Sequence, residues 1–416
     1  MRELLQQIRL LDPVNQLDRV GDVLIAGDKV EHIADHIDPS DSSVQVRDGR
    51  GLVLGTGLVD LYSHSGEPGF EERETLSSLG AAAIAGGFTR LTLLPDTVPP
   101  LEYPGEIELL QARLANQPLR VQVWGAFTQK LQGEQLTQLA ELAPGVAGFS
   151  DGVPIANLTL LRRGLEYLKP LQKPIALWAC DRQLVGQGVM REGLVSLRLG
   201  LPGDPALAET TALAALLELV EAIQTPVHLM RISTARGVEL IQTAKARGLP
   251  ITASTPWMHL LLNTDAIASY NPHLRLAPPL GNPVDQQALI EAVKTGVIDA
   301  IAIDHAPYTY EEKTLAFAEA PPGAIGLELA LPLLWQRFVT TGEWTALQLW
   351  QALSTRPAHC LGQAPPTLAG GELLLFDPER QWSVNPDSLQ SHSCNTPWLD
   401  QTLQGKVLQT WCASSG

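Results

Sequence analysis

The segment Gly57-Leu-Val-Asp-Leu-Tyr-Ser-His-Ser-Gly-Glu-Pro-Gly-Phe70 decides the fold, because an apolar strand runs into a histidine and then into a Gly/Pro turn. Side chains alternate along a strand, so Tyr62 and His64 point to the same side. In a parallel barrel, the residues at the carboxyl ends of the strands surround the mouth, where catalysis takes place. We therefore expect Tyr62 and His64 at the mouth of such a barrel.

Eight apolar strand candidates alternate with helical stretches such as 207–223 and 238–246. This alternation predicts an α/β fold of the (β/α)8 TIM-barrel type, because crossover helices cover a parallel ring that is buried on both faces. A doubly wound open sheet is the alternative that strand number alone leaves open. The candidates are 52–64, 88–95, 121–127, 146–151, 175–180, 227–232, 251–254 and 300–304.

The two ends of the chain have a different pattern of short strands. Residues 22–33 alternate around Gly27-Asp28 like a hairpin, and residues 371–377 and 405–411 are similar apolar strands. A hairpin alone is marginally stable and needs a partner sheet. We therefore predict a small composite β-sandwich domain from 1–53 plus 366–416, and a barrel domain over 54–365.

Composition limits the possible functions. The chain has 416 residues, 45% of them hydrophobic, and a net charge of -16, which disfavours binding to nucleic acid or to an anionic membrane. Its four cysteines are far apart and have no zinc-binding spacing, so we expect free thiols in a reducing compartment. Neither a signal peptide nor a membrane-spanning run is evident, which predicts a cytoplasmic protein.

The opening segment resembles the signature Asp-x-His-x-His-x-Arg-Glu-Pro-Gly of the dihydroorotases, which are cyclic amidohydrolases of pyrimidine synthesis. Asp60, His64 and the Glu67-Pro-Gly69 turn are kept. Tyr62 stands where the signature has its first metal-binding histidine, and Gly66 stands where it has a substrate-binding arginine. Further likeness lies at 148–152, 227–234, 276–281 and 298–328, so the chain resembles a degenerate dihydroorotase.

The resemblance implies an altered metal centre. Dihydroorotases use two zinc ions bridged by hydroxide, and an aspartate on the last strand carries the proton. Besides Tyr62, Trp178 and Arg231 replace metal-binding histidines, and neither side chain offers a lone pair to a metal. Asp304 matches the catalytic aspartate. The ligands that could remain for one metal are His64, Asp151 and Asp304.

The substrate positions are altered as well. Asp96 replaces an asparagine and would repel an anionic dihydroorotate, while Tyr308 replaces a histidine that faces the substrate. Gly323 matches a backbone contact. The pocket positions implied by the resemblance are His64, Gly66, Asp96, Ala277, Tyr308 and Gly323.

Arg231 suggests how the mouth is stabilised without metal. A guanidinium stays protonated and can replace the charge of zinc by pairing bidentately with a carboxylate. Asp304 and Asp151 are the two candidate partners. For Tyr62, Trp178 and Tyr308 we expect a packing role in the space that metals and substrate would need.

Three functional hypotheses follow. In the first, the chain is a non-catalytic homologue without cofactor, a homo-oligomer that acts as a structural or regulatory scaffold for aspartate transcarbamoylase, the partner that the resemblance implies. In the second, it is a zinc-dependent cyclic amidohydrolase that opens dihydroorotate, a hydantoin, allantoin or a related ring amide. In the third, it is a small-molecule sensor with a reshaped pocket.

Overall fold

The computed structural model describes residues 2–27, 29–39, 44–115 and 117–413. Its first five strands form most of a seven-stranded sheet, in which β1 pairs antiparallel with β2 and parallel with β4 and β5. β2 and β3 form the predicted hairpin, although its turn residue Asp28 lies outside the described residues. The strands are β1 (Arg2–Asp12), β2 (Leu17–Ala26), β3 (Lys29–Ala34), β4 (Val44–Asp48) and β5 (Val53–Thr56).

The next strands form the parallel barrel sheet, which confirms the predicted (β/α)8 class. Each barrel strand pairs in parallel with the one that follows it, and the short β11 and β12 form a separate ribbon between β10 and β13. The strands are β6 (Leu58–Val59), β7 (Phe88–Leu93), β8 (Arg120–Gly125), β9 (Gly148–Phe149), β10 (Ile175–Trp178), β11 (Met190–Arg191), β12 (Gly203–Asp204), β13 (Val227–Met230), β14 (Ile251–Pro256) and β15 (Ala300–Ala302).

The barrel closes where the chain leaving β15 meets the chain leaving β6. The backbone N–H of Ile303 donates to Asp60 Oδ1 at 2.9 Å, and the N–H of His64 donates to the carbonyl of His305 at 2.8 Å. Asp60 is fully buried, and this burial raises the pKa of its carboxyl to about 7. Asp60 therefore joins the first and last strands and fixes the position of His64.

Helices cover the outside of the barrel. Their apolar faces pack on the strands, as in α4, where the buried residues include Leu161, Leu165 and Leu168. The helices are α1 (Leu76–Ala85), α2 (Pro104–Leu114), α3 (Leu139–Leu142), α4 (Leu158–Leu168), α5 (Arg182–Val185), α6 (Leu194–Leu199), α7 (Leu207–Ile223), α8 (Ala235–Ala246), α9 (Met258–Leu261), α10 (Pro283–Thr295), α11 (Tyr310–Lys313), α12 (Ala330–Leu334), α13 (Ala346–Trp350) and α14 (Arg356–Cys360).

The chain then returns to the small sheet through β16 (Leu373–Ser383) and β17 (Thr402–Trp411). β16 pairs antiparallel with both β5 and β17, so the two ends of the chain share one sheet. Between these strands the chain reaches back to the barrel, where Asn395 Nδ2 donates to the carbonyl of Ala306 at 2.9 Å. This segment therefore holds the loop that follows β15.

One predicted strand was wrong. The run 52–64 is divided at Gly57 into β5, which belongs to the small sheet, and β6, which begins the barrel. A Cβ at Gly57 would lie 2.2 Å from Thr89 Oγ1, so only glycine allows this close approach to β7. The small sheet thus extends to Thr56, three residues beyond the predicted boundary.

The four cysteines, Cys180, Cys360, Cys394 and Cys412, are free thiols, as expected from their spacing. In the described parts of the chain, every helix is too short or too polar to cross a membrane.

Candidate functional site at the barrel mouth

Arg231 directly follows β13, Asp304 is the second residue after β15, and their side chains meet across the mouth. Both residues have left-handed backbones, with φ of 56° and 51°, a conformation that is uncommon for residues other than glycine. Arg231 Nε donates to Asp304 Oδ2 at 2.8 Å, and its Nη2 donates to Oδ1 at 2.6 Å. This is the bidentate pair expected from the sequence, and its partner is Asp304.

The remaining guanidinium contacts hold Arg231 over the centre of the mouth. Its Nη1 donates to the carbonyl of Gly152 at 2.7 Å, and the guanidinium carbon Cζ lies 4.9 Å from the ring centroid of Trp178. Burial alone would lower the pKa of the guanidinium, but Asp304 outweighs it and raises the pKa. Arg231 in turn holds the pKa of the Asp304 carboxyl far below its usual range despite burial.

His64 adds a second charge pair beside the first. Its Nδ1 lies 2.5 Å from Asp96 Oδ2, and its Nε2 lies 3.7 Å from Asp304 Oδ1 and 3.1 Å from Arg231 Nη2. Burial and Arg231 lower the pKa of His64, but the two carboxylates outweigh them and raise it to about 9. The two carboxylates thus favour the protonated form of His64, and the mouth brings two basic and two acidic side chains together in alternation.

Asp151 does not take part in this cluster. Its Oδ1 accepts hydrogen bonds from the backbone N–H groups of Phe127 at 2.9 Å and Thr128 at 2.8 Å, and its Oδ2 accepts from the Thr128 hydroxyl. Burial raises the pKa of its carboxyl to about 6. Asp151 thus stabilises the loop after β8, and the alternative that it pairs with Arg231 was wrong.

The zinc ions implied by the resemblance do not fit these residues. Both oxygens of Asp304 accept from Arg231, Nδ1 of His64 is used by Asp96, and both oxygens of Asp151 are used by its loop. Within residues 2–27, 29–39, 44–115 and 117–413, no three His, Cys, Asp or Glu side chains are grouped as metal ligands. A metal would also sit beside the guanidinium, which has no lone pair to offer.

Tyr62 lies below the mouth, inside the barrel, and is fully buried. Its hydroxyl is 2.9 Å from Ser254 Oγ and accepts from the backbone N–H of Arg231 at 3.1 Å. Ser254 Oγ is also 2.9 Å from Nε2 of His228, a residue whose pKa is lowered to about 3 by burial. Tyr62 therefore supports the backbone of Arg231 from below, whereas His64 faces the open cavity.

The substrate positions named from the resemblance lie in different surroundings. Ala277, Tyr308 and Gly323 line a mouth cavity of about 260 Å³, together with His64, Trp178, Arg231 and Asp304. Gly66 has no room for a side chain, because a Cβ would lie 2.3 Å from the carbonyl oxygen of Glu74. Asp96 is paired with His64, so its charge is compensated and the repulsion argued from sequence is weakened.

Three further residues of this cavity were not found from the sequence. Arg182 begins α5, while Trp257 and His259 lie at the start of α9 and within it. Arg182 and Trp257 belong to none of the matching motifs, and His259 has surroundings that resemble the family but no ligand role there. Only the loops after β10 and β14 bring the three residues to the cavity. A histidine followed by an apolar run gives no sequence signal for a site.

Comparison with solved structures shows which fold the chain has. The chain superimposes on the L-hydantoinase (dihydropyrimidinase) of Arthrobacter aurescens with a TM-score of 0.84 at 20% identity, covering 100% of this chain and 96% of that one. A dihydropyrimidinase from Brevibacillus agri gives a TM-score of 0.80 at 20% identity, covering 99% and 94%. The chain thus shares the TIM-barrel fold of these two solved structures.

Sequence comparison then specifies the family. The dihydro-orotase-like family profile matches residues 51–236. A probable dihydroorotase-like protein of Synechocystis sp. is 46% identical over 97% of this chain and 98% of its own length, and a dihydroorotase of Pelobacter propionicus is 37% identical over 99% and 98%. This chain belongs to the dihydroorotase-like family of cyclic amidohydrolases.

Proposed function

We propose that this chain is a non-catalytic dihydroorotase-like protein with a structural or regulatory role in pyrimidine biosynthesis. The observation that carries the proposal is the bidentate pair of Arg231 with Asp304. The aspartate that would move the proton in an active relative is here bound to a permanent cation. A carboxylate with its pKa held so low is a poor proton carrier at neutral pH.

The composition of the mouth supports the same proposal. Arg231 and His64 occupy the centre, paired with Asp304 and Asp96, and the neutral indole of Trp178 packs against the guanidinium. Because the lone pairs of these side chains are already engaged, the mouth does not fit the zinc that activates water in zinc hydrolases. The cluster instead joins the loops after β6, β7, β13 and β15 into one rigid end of the barrel.

A scaffold needs a surface for its partner, and the segment between β10 and β13 offers one. Helix α6 exposes Leu194 by 81% and Leu197 by 80%, which is unusual for leucines on a helix. Neighbouring exposed apolar side chains are typical of interaction sites. We propose this α6 surface, defined by Leu194 and Leu197, as the contact for aspartate transcarbamoylase, and a second copy of the chain as its competitor for the same surface.

Co-purification tests the partner. Tagged wild-type chain should recover aspartate transcarbamoylase from cells expressing both proteins, and Leu194→Ser with Leu197→Ser should abolish the recovery. Leu109→Ser on α2 is a matched control, because Leu109 is 58% exposed on a different helix. Failure of the wild-type chain to recover the transcarbamoylase would remove this partner.

The alternative is an active zinc-dependent cyclic amidohydrolase. Its support is the 37% identity to a protein named dihydroorotase and the open mouth cavity of about 260 Å³. In that case Asp304 would carry the proton and zinc would have to displace Arg231. Protein purified without chelators should contain far less than one zinc per chain and should not open dihydroorotate or hydantoin; stoichiometric zinc that supports ring opening would establish the alternative.

A further inference from the structure

A second cavity, of about 420 Å³, lies at the end of the barrel opposite the mouth, beside the amino-terminal ends of β8, β9 and β10. It exists because β8 and β9 pair only at Trp124–Gly148 and Gly125–Phe149, at the carboxyl end of β8. The amino-terminal half of β8 therefore has an open edge on this side, and residues from the end of α2 line the gap. The cavity is thus separate from the charge cluster of the mouth.

The side chains that line this cavity are opposite in charge to the chain as a whole. The described lining residues include two cations, Arg120 and Lys173, and no carboxylate, although the net charge of the chain is -16. Neither cation forms an ion pair within the part of the chain that the structure describes. The cavity therefore favours an anionic ligand.

Lys173 shows that one of these cations is partly desolvated. Its Nζ donates to the carbonyl of Val146 at 2.7 Å, which leaves two of its three N–H donors for another partner. Burial lowers the pKa of its ammonium, and no carboxylate opposes this effect. Partial burial of a charge without a counter-charge is unfavourable, so a bound anion would stabilise Lys173.

Two glutamine amides add neutral hydrogen-bonding groups. Gln111 Nε2 donates to the carbonyl of Gly145 at 2.7 Å, and Gln117 Nε2 donates to the carbonyl of Leu76 at 3.1 Å. These bonds fix the two amides and leave the Oε1 atom of each as an acceptor. Acceptors of this kind suit hydroxyl groups on the ligand.

The size of the cavity limits the ligand further. A volume of about 420 Å³ corresponds to roughly 14 water molecules at about 30 Å³ each. A bare inorganic anion would fill only a small part of this space. A ligand with about 14 non-hydrogen atoms, most of them polar, would fill it.

We propose that this cavity binds a small sugar phosphate, whose phosphate pairs with Arg120 and Lys173 and whose hydroxyl groups donate to Gln111 and Gln117. A phosphate places a charge of about -1.5 to -2 and three acceptor oxygens on one group, which matches two neighbouring cations. All positions to which the family resemblance assigns a metal or substrate role lie at or near the mouth. The site at the amino-terminal end of the strands is therefore an additional one.

Calorimetric titration of the wild-type chain with three probes tests this site. Ribose 5-phosphate has both features, inorganic phosphate lacks the sugar, and ribose lacks the charge. Ribose 5-phosphate should bind roughly tenfold more tightly than either of the others, because each of them loses one set of contacts. Equal affinities for ribose 5-phosphate and one of the other probes, or no binding of ribose 5-phosphate, would overturn the proposal.

Two variants locate the binding. Arg120→Gln and Lys173→Gln should each weaken the binding of ribose 5-phosphate roughly tenfold and leave that of ribose unchanged. Arg120 is exposed at the start of its strand, so this substitution should leave the fold intact, which circular dichroism checks. Arg163→Gln removes an equally exposed arginine on α4, away from the cavity, and is the control.

Ribose 5-phosphate that bound to both variants as tightly as to the wild type would show that it occupies another site, and the proposal would fail. The titrations need neither metal nor partner protein. Their result is therefore independent of the co-purification experiment and of the proposed loss of catalysis.

Discussion

Arg231 Nη2 lies 2.6 Å from Asp304 Oδ1, and both residues adopt the left-handed backbone conformation within two residues of the ends of their strands. Each of these conformations costs of order 1 kcal/mol for a residue with a side chain and persists only when other contacts fix it. Here the two side chains need that geometry to meet across the barrel. The ion pair and the two strained backbones therefore maintain each other.

Removing one partner of this pair should destabilise the fold. Arg231→Leu leaves Asp304 as a buried, unpaired carboxylate, and we expect the free energy of unfolding to fall by about 3 kcal/mol. The double variant Arg231→Leu with Asp304→Leu removes both charges and should recover most of this loss. Urea unfolding of the two single variants and the double variant measures the coupling. Additive losses would show that the pair does not act as a unit.

The protonation of His64 should make stability depend on alkaline pH. Its folded pKa of about 9 lies above the unfolded value of 6.5, so its contribution is complete below pH 6.5 and is lost as pH rises through 9. We expect the wild-type chain to lose roughly 2 kcal/mol between these pH values, and His64→Gln to lose much less. Urea unfolding at both pH values measures this. The control is His359→Gln, which changes an exposed histidine. If the free energy of unfolding of His64→Gln fell with pH as steeply as that of the wild type, His64 would not be the group responsible.

Restoring imidazoles at the replaced ligand positions should restore metal binding. In the triple variant Tyr62→His, Trp178→His and Arg231→His, the guanidinium is gone and lone pairs return to the mouth. Zinc at about 100 times its Kd should then raise the free energy of unfolding by about 2.7 kcal/mol. The wild-type chain should show no such increase. If zinc stabilised both chains equally, the replaced positions would not be the reason for the lost metal site.

Glu74 should hold the segment 391–395, which lies between β16 and β17, against the barrel. This fully buried carboxylate accepts from the backbone N–H of His392 at 2.9 Å and from the Ser391 hydroxyl, and it lies 3.4 Å from His305 Nε2. Glu74→Ala should cost about 2 kcal/mol and speed hydrogen exchange at 391–395. Glu72→Ala, an exposed neighbour, is the control. Unchanged exchange in Glu74→Ala would show that other contacts hold the segment.

The sequence by itself determined the alternating α/β class and the chemistry that the mouth lacks. Eight apolar runs that alternate with helical stretches predict a parallel sheet, although their number alone fits a barrel or a doubly wound sheet, and residue type alone shows that Arg231 and Trp178 have no lone pair for a metal. The tertiary structure decided which partners these residues find. In the folded chain Arg231 pairs with Asp304 and not with Asp151, and Asp96 pairs with His64. Arg182 and His259 line the same cavity. These choices depend on the distances between strand ends, which are set by closure of the barrel and by the loops, and residues far apart in the chain carry no local pattern that encodes them.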